Sequence, residues 1–490
     1  MRKILSTFII LAMLIATIPM TASALVVDDW EISISGSEAT IIGYSGEQKK
    51  QIVVPAKVGN YNVVAVDGAK LFDEPVEELI FSEGIKNICR EPFAYHLRNS
   101  LKKVVLPESL EKLDVHFQGY ENLESINIPS SIKEINFSQF AGCTNLKKID
   151  FNNVQIIGQS SFSGTGLESI TIPNSVYQIG DNAFSDCNSL VNVTIPNNVK
   201  QLGGMGFYGE GVFLRCKNLE SAIIGDGVDR ICEREFEGCE KLQSISLGNS
   251  ITYIMDSSFS SCPSLKSLII PNGVTHLGYG IASNCLELES ITIPQSVTKL
   301  DAGWHNCETF ATGLKGEEKP LPKLFIYSYS GGVVENYANK LGVPFVNVST
   351  ATPTNSKVVI NGKEVAFTAY NIGGNNYFKL RDIASAINGT NKNFNVGWDG
   401  NNNAITLKSK TTYSNVGGEL VVNSNANVTT SKISNSKIFV DGKLTTFMAF
   451  NIADNNYIKL RDLGEVFDFS VNWNDGTQTI EINTNKSYTK

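Results

Sequence analysis

Few residues of this sequence have the types and spacing that chemistry requires. The histidines lie far apart, and no two have the i, i+4 spacing with which a helix presents two ligands to a metal ion. No cluster of histidine and cysteine has zinc spacing either. The Ser-x-x-Lys segments at 130–133 and 296–299 both follow a strand-ending proline, so the repeat described below produces their spacing. We therefore predict a protein that is not an enzyme and needs no metal or cofactor. The histidines are His96, His116, His276 and His305.

One glycine-rich segment has the form of a nucleotide motif. Gly204, Gly206 and Gly209 fit G-x-G-x-x-G, which binds a dinucleotide when a strand precedes it and a helix follows it within a βαβ unit. No crossover helix follows here. The segment is better interpreted as a bulged surface loop on which Phe207 and Tyr208 offer a contact point.

The residues best suited to bind a ligand are short polar side chains on a predicted strand face. They alternate with buried aliphatic positions and so should point outward. Hydroxyl groups both donate and accept hydrogen bonds, which suits a glycan or an extended protein edge. Two apolar residues on the same face, Ile223 and Ile269, favour a protein. The alternative is a merely solvated strand face. We call these polar residues the ladder: Ser169, Thr171, Asn192, Thr194, Ser244, Ser246, Ser290 and Thr292.

The element that must position the ladder is a repeat of 22 or 23 residues. Its unit is C-x-x-L-x-x-I-x-I-P-x-x-V-x-x-I/L-G-x-x-x-F, as at 262–278 and again at 285–300. A repeat of this period predicts a solenoid in which each turn buries its apolar side chains against the next. The L-x-x-I-x-I step reads as a short parallel strand, and proline ends it because it has no N–H to donate. Phenylalanine precedes the cysteine slot by three residues, so both should point inward and stack.

The nine cysteines follow the repeat. Seven fall in one slot, and Cys89 and Cys232 share a second. Thr165 replaces cysteine in one turn. This pattern favours small buried side chains, although disulfides between neighbouring turns or a metal site remain alternatives. The seven are Cys143, Cys187, Cys216, Cys239, Cys262, Cys285 and Cys307.

The flanking segments complete the predicted organisation. Residues 1–24 have the basic start, the apolar run of signal-peptide length and the small-x-small site of a secretory signal peptide, which predicts export. Residues 25–348 form the solenoid, with a β-rich N-terminal cap at 25–70 and a βαβ C-terminal cap at 322–348. Residues 349–356 read as a polar linker.

Residues 357–490, the tail, repeat at a longer period. The run Asn-Asn-Tyr-x-Lys-Leu-Arg-Asp at 375–382 returns at 455–462. Each copy begins with an Asn-Gly or Asp-Gly hairpin, continues with a short helix and closes with a second hairpin that carries Trp398 or Trp473. The fold class predicted for the whole chain is therefore a β-rich solenoid followed by two small α+β units.

The net charge of −8 is distributed unevenly. The solenoid is acidic and the tail is weakly basic. An acidic solenoid argues against nucleic acid as a partner. The basic tail is suited, though only slightly, to an acidic cell-wall polymer.

The repeat unit quoted above, with its I-P, V-x-x-I-G and F-x-x-C steps, resembles the BspA-like family of leucine-rich repeats over about residues 40–348. That family contains bacterial surface and secreted proteins, some of them adhesins. The resemblance implies a leucine-rich repeat fold and a binding role. It names no ligand.

The twice-repeated run in the tail resembles the copper amine oxidase N-terminal-like domain. The copper of that oxidase needs histidine ligands, and the tail contains no histidine. What the resemblance implies is therefore a spacer or stalk module.

These observations favour a secreted or surface-associated bacterial binding protein, adhesin-like, without a membrane span in the mature chain. The solenoid would engage an extracellular protein or glycan, and the tail would space it or associate with the wall. Two alternatives stay open. One is a structural surface or matrix protein without a specific ligand. The other is an extracellular carbohydrate-active enzyme, which would need a cleft with two carboxylates at glycosidase separation.

Overall fold

The structure is a computed structural model. Among the segments outside the residues it describes are the predicted signal peptide at 1–24, most of the glycine-rich loop with Phe207 and Tyr208, and both His305 and Cys307. The described residues are 25–47, 49–67, 71–72, 74–89, 95–204, 210–301, 310–312, 319–354, 356–400, 402–423 and 426–489.

The solenoid is built on two rows of short parallel strands, as the period predicts. Successive turns pair in register, for example Ile223 with Ser246 and Ile254 with Leu277. The first strand row, which follows each leucine slot, comprises Gln51–Val54, Glu78–Phe81, Lys103–Val105, Ser125–Ile126, Asn192–Ile195, Ser221–Ile224, Ser244–Ser246, Ser267–Ile269 and Ser290–Thr292. The second strand row comprises Asn87–Cys89, Lys112–Leu113, Glu134–Ile135, Ile156–Ile157, Gln178–Ile179, Gln201–Leu202, Arg230–Ile231, Tyr253–Ile254, His276–Leu277 and Lys299–Leu300.

Two columns of side chains fill the interior between the turns. The first is a stack of seven fully buried phenyl rings from Phe117 to Phe259, with ring centroids 5.2–5.8 Å apart. The second is the cysteine slot, in which each thiol that the structure describes donates to the carbonyl of a phenylalanine in the preceding turn, as Cys216 does to Phe184 O at 3.1 Å. Thr165, which takes the cysteine position in one turn, donates instead to Phe162 O of its own turn at 2.9 Å, so its buried hydroxyl has a partner. Apart from Cys89, the cysteines that the structure describes are buried and form no disulfides.

Both ends of the stack are closed by atypical elements. At the N-terminal end, Leu25–Val27, Trp30–Ser35 and Glu38–Tyr44 form an antiparallel sheet, and Tyr61–Asp67 then joins it in parallel. At the other end, the helix Val333–Leu341 packs Val334 and Ala338 into the core. The remaining elements of the solenoid region are Lys57–Val58, the 3₁₀ helix Tyr95–Asn99, Ala311–Thr312, Lys319–Pro320, Phe325–Ser328 and Phe345–Asn347.

The prediction that residues 349–356 form a polar linker is wrong in one respect. Thr350–Pro353 is a strand that pairs antiparallel with Ala369–Ile372 and with Thr429–Thr430. Val348 and Ala351 are fully buried, and threonine on either side of Ala351 suits a strand. The segment therefore fastens the solenoid to the tail instead of separating them.

The two halves of the tail are interleaved. Strand Lys357–Ile360 of the first half pairs with Thr479–Asn483 of the second, and Ala404–Ser409 pairs with Lys437–Val440. A seven-stranded sheet crosses both halves, and one buried cluster contains side chains from both. Each half does have a helix and hairpins as predicted, but the halves form one body. The other elements are Lys363–Val365, Asn375–Lys379, helix Leu380–Ala386, Phe394–Asp399, Lys432–Ile433, Lys443–Thr445, Ala449–Ile452, Asn455–Lys459, helix Leu460–Phe467 and Ser470–Asn474.

In the described part of the chain, no helix has the length and apolar character needed to span a bilayer.

Candidate ligand-binding site

The ladder lies on the outward side of the solenoid, but Ser169 and Thr171 lie outside the regular strands, and the structure divides the ladder in two. Ser169, Thr171, Asn192 and Thr194 are exposed. The other four are covered to different degrees: Ser244, Ser246 and Ser290 are half-buried, and Thr292 is buried. The expectation of one continuous open ladder is therefore wrong at its C-terminal end, because the tail packs there.

The exposed half of the ladder forms one side of an open groove of about 790 Å³. Ile223 lies in the same groove, and Asn402 and Lys437 of the tail close its other side. Lys437 is the charged residue among the described residues that line it. The groove therefore offers hydroxyl and amide groups beside an apolar patch.

The tail covers the other half of the ladder through direct contacts. The Ser267 hydroxyl donates to Thr446 Oγ1 at 2.7 Å, and Asn272 Nδ2 donates to the Ile433 carbonyl at 3.0 Å. Ile269 packs against the apolar cluster of the tail that contains Ile433 and Tyr377. The apolar contact that Ile269 was expected to offer to a protein ligand is thus made by the chain itself.

One charged residue of the tail, Lys437, is buried at this interface. Lys437 is only 6 % exposed, and burial lowers the pKa of its ammonium group, while the solenoid carboxylate of Asp226 acts in the opposite direction. Asp226 also accepts a hydrogen bond from the backbone N–H of Asn249 at 2.8 Å. The interface therefore places one basic side chain of the tail near one carboxylate of the solenoid.

A second cleft, of about 660 Å³, opens where the tail meets the last turns of the solenoid. Asp462 lines it, and burial raises the pKa of its carboxyl group to about 6; nearby Lys459 opposes the shift and Glu465 adds to it. Asp462 loses its proton as the pH rises through about 6. The cleft therefore carries more negative charge at pH 7 than at pH 5.

The buried thiols are chemically quiet. Burial raises the pKa of Cys143 to about 12 and that of Cys187 to about 11. Thiolate is the reactive form of cysteine, so these groups resist oxidation and metal binding at neutral pH. In the described part of the chain, no group of three or more histidine, cysteine or acidic residues could hold a metal ion.

Glu235 is a buried acid that the sequence analysis missed. It occupies the position before the stacked phenylalanine, where another turn has Gln139, and it is fully buried. Neither of its carboxyl oxygens makes a well-formed hydrogen bond to a described residue. Burial raises the pKa of this carboxyl well above its usual value; the backbone N–H of Val212 opposes the shift and the Asp181 carboxylate adds to it. Gln139, by contrast, donates to Leu113 O at 2.6 Å.

Replacing Glu235 by glutamine is expected to stabilise the protein at pH 7–8 by about 1–3 kcal/mol, the usual cost of an unsatisfied buried polar group. The pKa of this carboxyl is higher in the folded than in the unfolded chain. As the pH rises above the unfolded pKa, the unfolded chain therefore ionises first, and the free energy of unfolding decreases. The part of the gain that comes from ionisation should therefore vanish near pH 4, where the carboxyl is protonated in both the folded and the unfolded chain. Urea unfolding at several pH values measures it, with Glu220→Gln as the exposed control. An equal gain at pH 4 and pH 8 would contradict this account.

Short parallel strands over columns of leucine, isoleucine and phenylalanine define a leucine-rich repeat solenoid. Residues 70–191, 113–212 and 192–309 match the model of the BspA type leucine rich repeat region, in six copies. Residues 359–482 match the model of the copper amine oxidase N-terminal domain. The chain therefore carries a BspA-type leucine-rich repeat region followed by a copper amine oxidase N-terminal domain, and neither match is to a catalytic domain.

Several solved bacterial structures are similar. A leucine-rich repeat protein from Bacteroides ovatus is 20% identical, covering 66% of this chain and 98% of its own, with a TM-score of 0.34. A leucine rich cell surface protein from Faecalibacterium prausnitzii is 22% identical, covering 65% and 97%, with a TM-score of 0.31. The pneumococcal vaccine antigen PcpA is 18% identical, covering 66% and 98%, with a TM-score of 0.40. No curated protein matches the chain.

Proposed function

We propose that this protein is exported and acts at the bacterial cell surface as a non-enzymatic binding protein, adhesin-like, for an extracellular protein or glycan. The observation that carries the proposal is the open groove on the exposed half of the ladder. Its hydroxyl and amide groups come from successive turns of the solenoid. Ser221 already donates to Asn192 Oδ1 at 2.6 Å, which shows that neighbouring turns are close enough to share one ligand.

The chemistry of the groove supports binding in preference to catalysis. No Asp or Glu is among the described residues that line it, so it lacks the carboxylate pair that glycoside hydrolysis needs. The BspA-type repeat region supports the surface role, and the predicted signal peptide at 1–24 supports export. The tail associates with a cell-wall polymer in this proposal, and its docking against the solenoid sets where the groove ends.

The experiment begins with the full chain, applied to a glycan array and to immobilised extracellular-matrix proteins. For any ligand found, the double variant Thr171→Glu and Thr194→Glu is expected to weaken binding at least tenfold, because two bulky carboxylates fill the groove. The matched control is Thr275→Glu with Thr298→Glu, two exposed threonines beside the second strand row.

Undiminished binding by the groove variant would exclude this face as the site. If neither screen yields a ligand and the purified protein assembles into ordered arrays, the structural surface-protein alternative is correct instead.

A further inference from the structure

The tail has a pocket that belongs to neither the ladder nor the interdomain cleft. It has a volume of about 270 Å³ and lies where the two halves of the tail meet. The first half contributes the turn at 374–376, and the second contributes Arg461 from its helix and Trp473 from its closing hairpin. The pocket exists because the strands Asn375–Lys379 and Asn455–Lys459 pair with each other. It is slightly smaller than the roughly 300 Å³ at which drug-sized ligand sites begin, which suits one or two sugar rings.

An exposed aromatic ring forms one wall. Trp473 is 40 % exposed, although its strand partner Ile480 is buried. Its Nε1–H donates to Asp475 Oδ1 at 2.8 Å, which fixes the orientation of the indole. An aromatic ring with its polar edge already bonded presents an apolar face, on which the C–H face of a sugar ring can stack.

Hydrogen-bonding groups surround this ring. Asn375, Asn376 and Asn472 contribute side-chain amides. Asn375 Nδ2 donates to Gly373 O and Asn376 Oδ1 accepts from Asn371 Nδ2, both at 3.3 Å, so Asn375 can accept from a sugar hydroxyl and Asn376 can donate to one. Asn472 uses its Nδ2 on Ser470 Oγ at 2.9 Å, so its Oδ1 is left to accept.

The pocket is positively charged. Arg461 is exposed and forms no ion pair with any described residue, and Lys459 also lines the pocket. No Asp or Glu is among the described lining residues. A guanidinium group binds a carboxylate or a phosphate through two parallel hydrogen bonds.

We propose that this pocket binds an acidic saccharide, with a sugar ring stacked on Trp473, its hydroxyls on the asparagine amides and its anionic group on Arg461. The anionic group is a carboxylate, as in a uronic acid, or a phosphate, as in a sugar-phosphate polymer. The proposal deepens the wall-association role of the tail and rests on that role only for the natural source of the saccharide.

The internal repeat supports this assignment. The first half of the tail carries Arg381 at the position of Arg461, and Trp398 stands opposite Ile405 as Trp473 stands opposite Ile480. Trp398 is also exposed. An exposed tryptophan contributes little to a core, so its presence in both closing hairpins suits binding better than packing.

The test uses the purified full chain and isothermal titration with three probes: an oligogalacturonate, a glycerol-phosphate oligomer and a neutral maltooligosaccharide. We expect at least one acidic probe to bind at least tenfold more tightly than the neutral one. Arg461→Gln should weaken acidic binding roughly tenfold, the value of a charge-assisted hydrogen bond. Gly374→Asp should weaken it as well; the second repeat already has Asp454 in the corresponding turn, at φ 60°, so the turn accepts this residue.

Lys443→Gln, which removes a charge from the exposed start of the strand Lys443–Thr445 outside the pocket, serves as the control and should bind as the parent does. Binding of one acidic probe alone identifies the anionic group. Failure of both acidic probes, or equal losses in Arg461→Gln and Lys443→Gln, overturns the proposal. Because defined oligosaccharides are used, this result is independent of whether the protein fractionates with cell walls.

Discussion

Replacement of Phe184 by alanine should reduce the free energy of unfolding of the solenoid by about 3–5 kcal/mol, the range for deleting a buried phenyl ring. The ring is fully buried between Phe162 and Phe213, at centroid distances of 5.5 and 5.7 Å. Its removal leaves a cavity that interrupts the column, and backbone hydrogen bonds to both neighbouring turns hinder collapse. Urea unfolding of the full chain measures the loss.

The control for this prediction is Phe137→Ala. Phe137 is 61 % exposed and lies two residues before Gln139 in a turn of the same stack. Its removal should change stability by less than about 0.5 kcal/mol. Similar effects of the two substitutions would show that the phenyl column does not hold the turns together.

The second large effect concerns the docking of the tail. Ile269→Asp is expected to release the tail from the solenoid, because it places a carboxylate against the apolar cluster around Ile433 and Tyr377. An unpaired polar group of this kind costs about 1–3 kcal/mol, and more when it is charged. Ile269 points away from the solenoid core, so the turn itself should stay folded.

A cross-link reports on docking directly. Ser267 Oγ and Thr446 Oγ1 are 2.7 Å apart, so cysteines at these two positions should form a disulfide under mild oxidation. The yield should fall sharply when Ile269→Asp is added. Val53→Asp is the matched control, since Val53 is an outward, uncovered apolar residue of the same strand row. An unchanged yield with Ile269→Asp would falsify the docking described here.

Much of the solenoid could be predicted because its determinants are local. The 22- or 23-residue period fixes which side chains meet in adjacent turns, so the stacked phenylalanines, the buried cysteines and the outward ladder all follow from spacing. The interleaving of the tail could not be predicted in this way. The pairing of Val358 with Ile480 joins strands far apart in the chain, and alternation shows only that each has a buried face.

The candidate site was predicted in position but not in extent. Exposure of Thr171 and Thr194 follows from alternation within their own turns. The covering of the C-terminal half of the ladder depends on tail residues such as Thr446 and Ile433, which bond to Ser267 and Asn272 and whose role as contact residues has no local signal. Glu235 shows the same limit, since its slot holds Gln139 in another turn and only the structure shows that the carboxyl is left unsatisfied.

Because the two repeats of the tail share strands, they cannot be added or removed separately. Removing one of its repeats would strip the other of Lys357–Ile360 or Thr479–Asn483 and leave bare sheet edges prone to aggregation. A deletion that starts at residue 357 would also leave the strand Thr350–Pro353 without the strands it pairs with. The segment that can be added or removed as a whole therefore begins at residue 349 and includes both repeats.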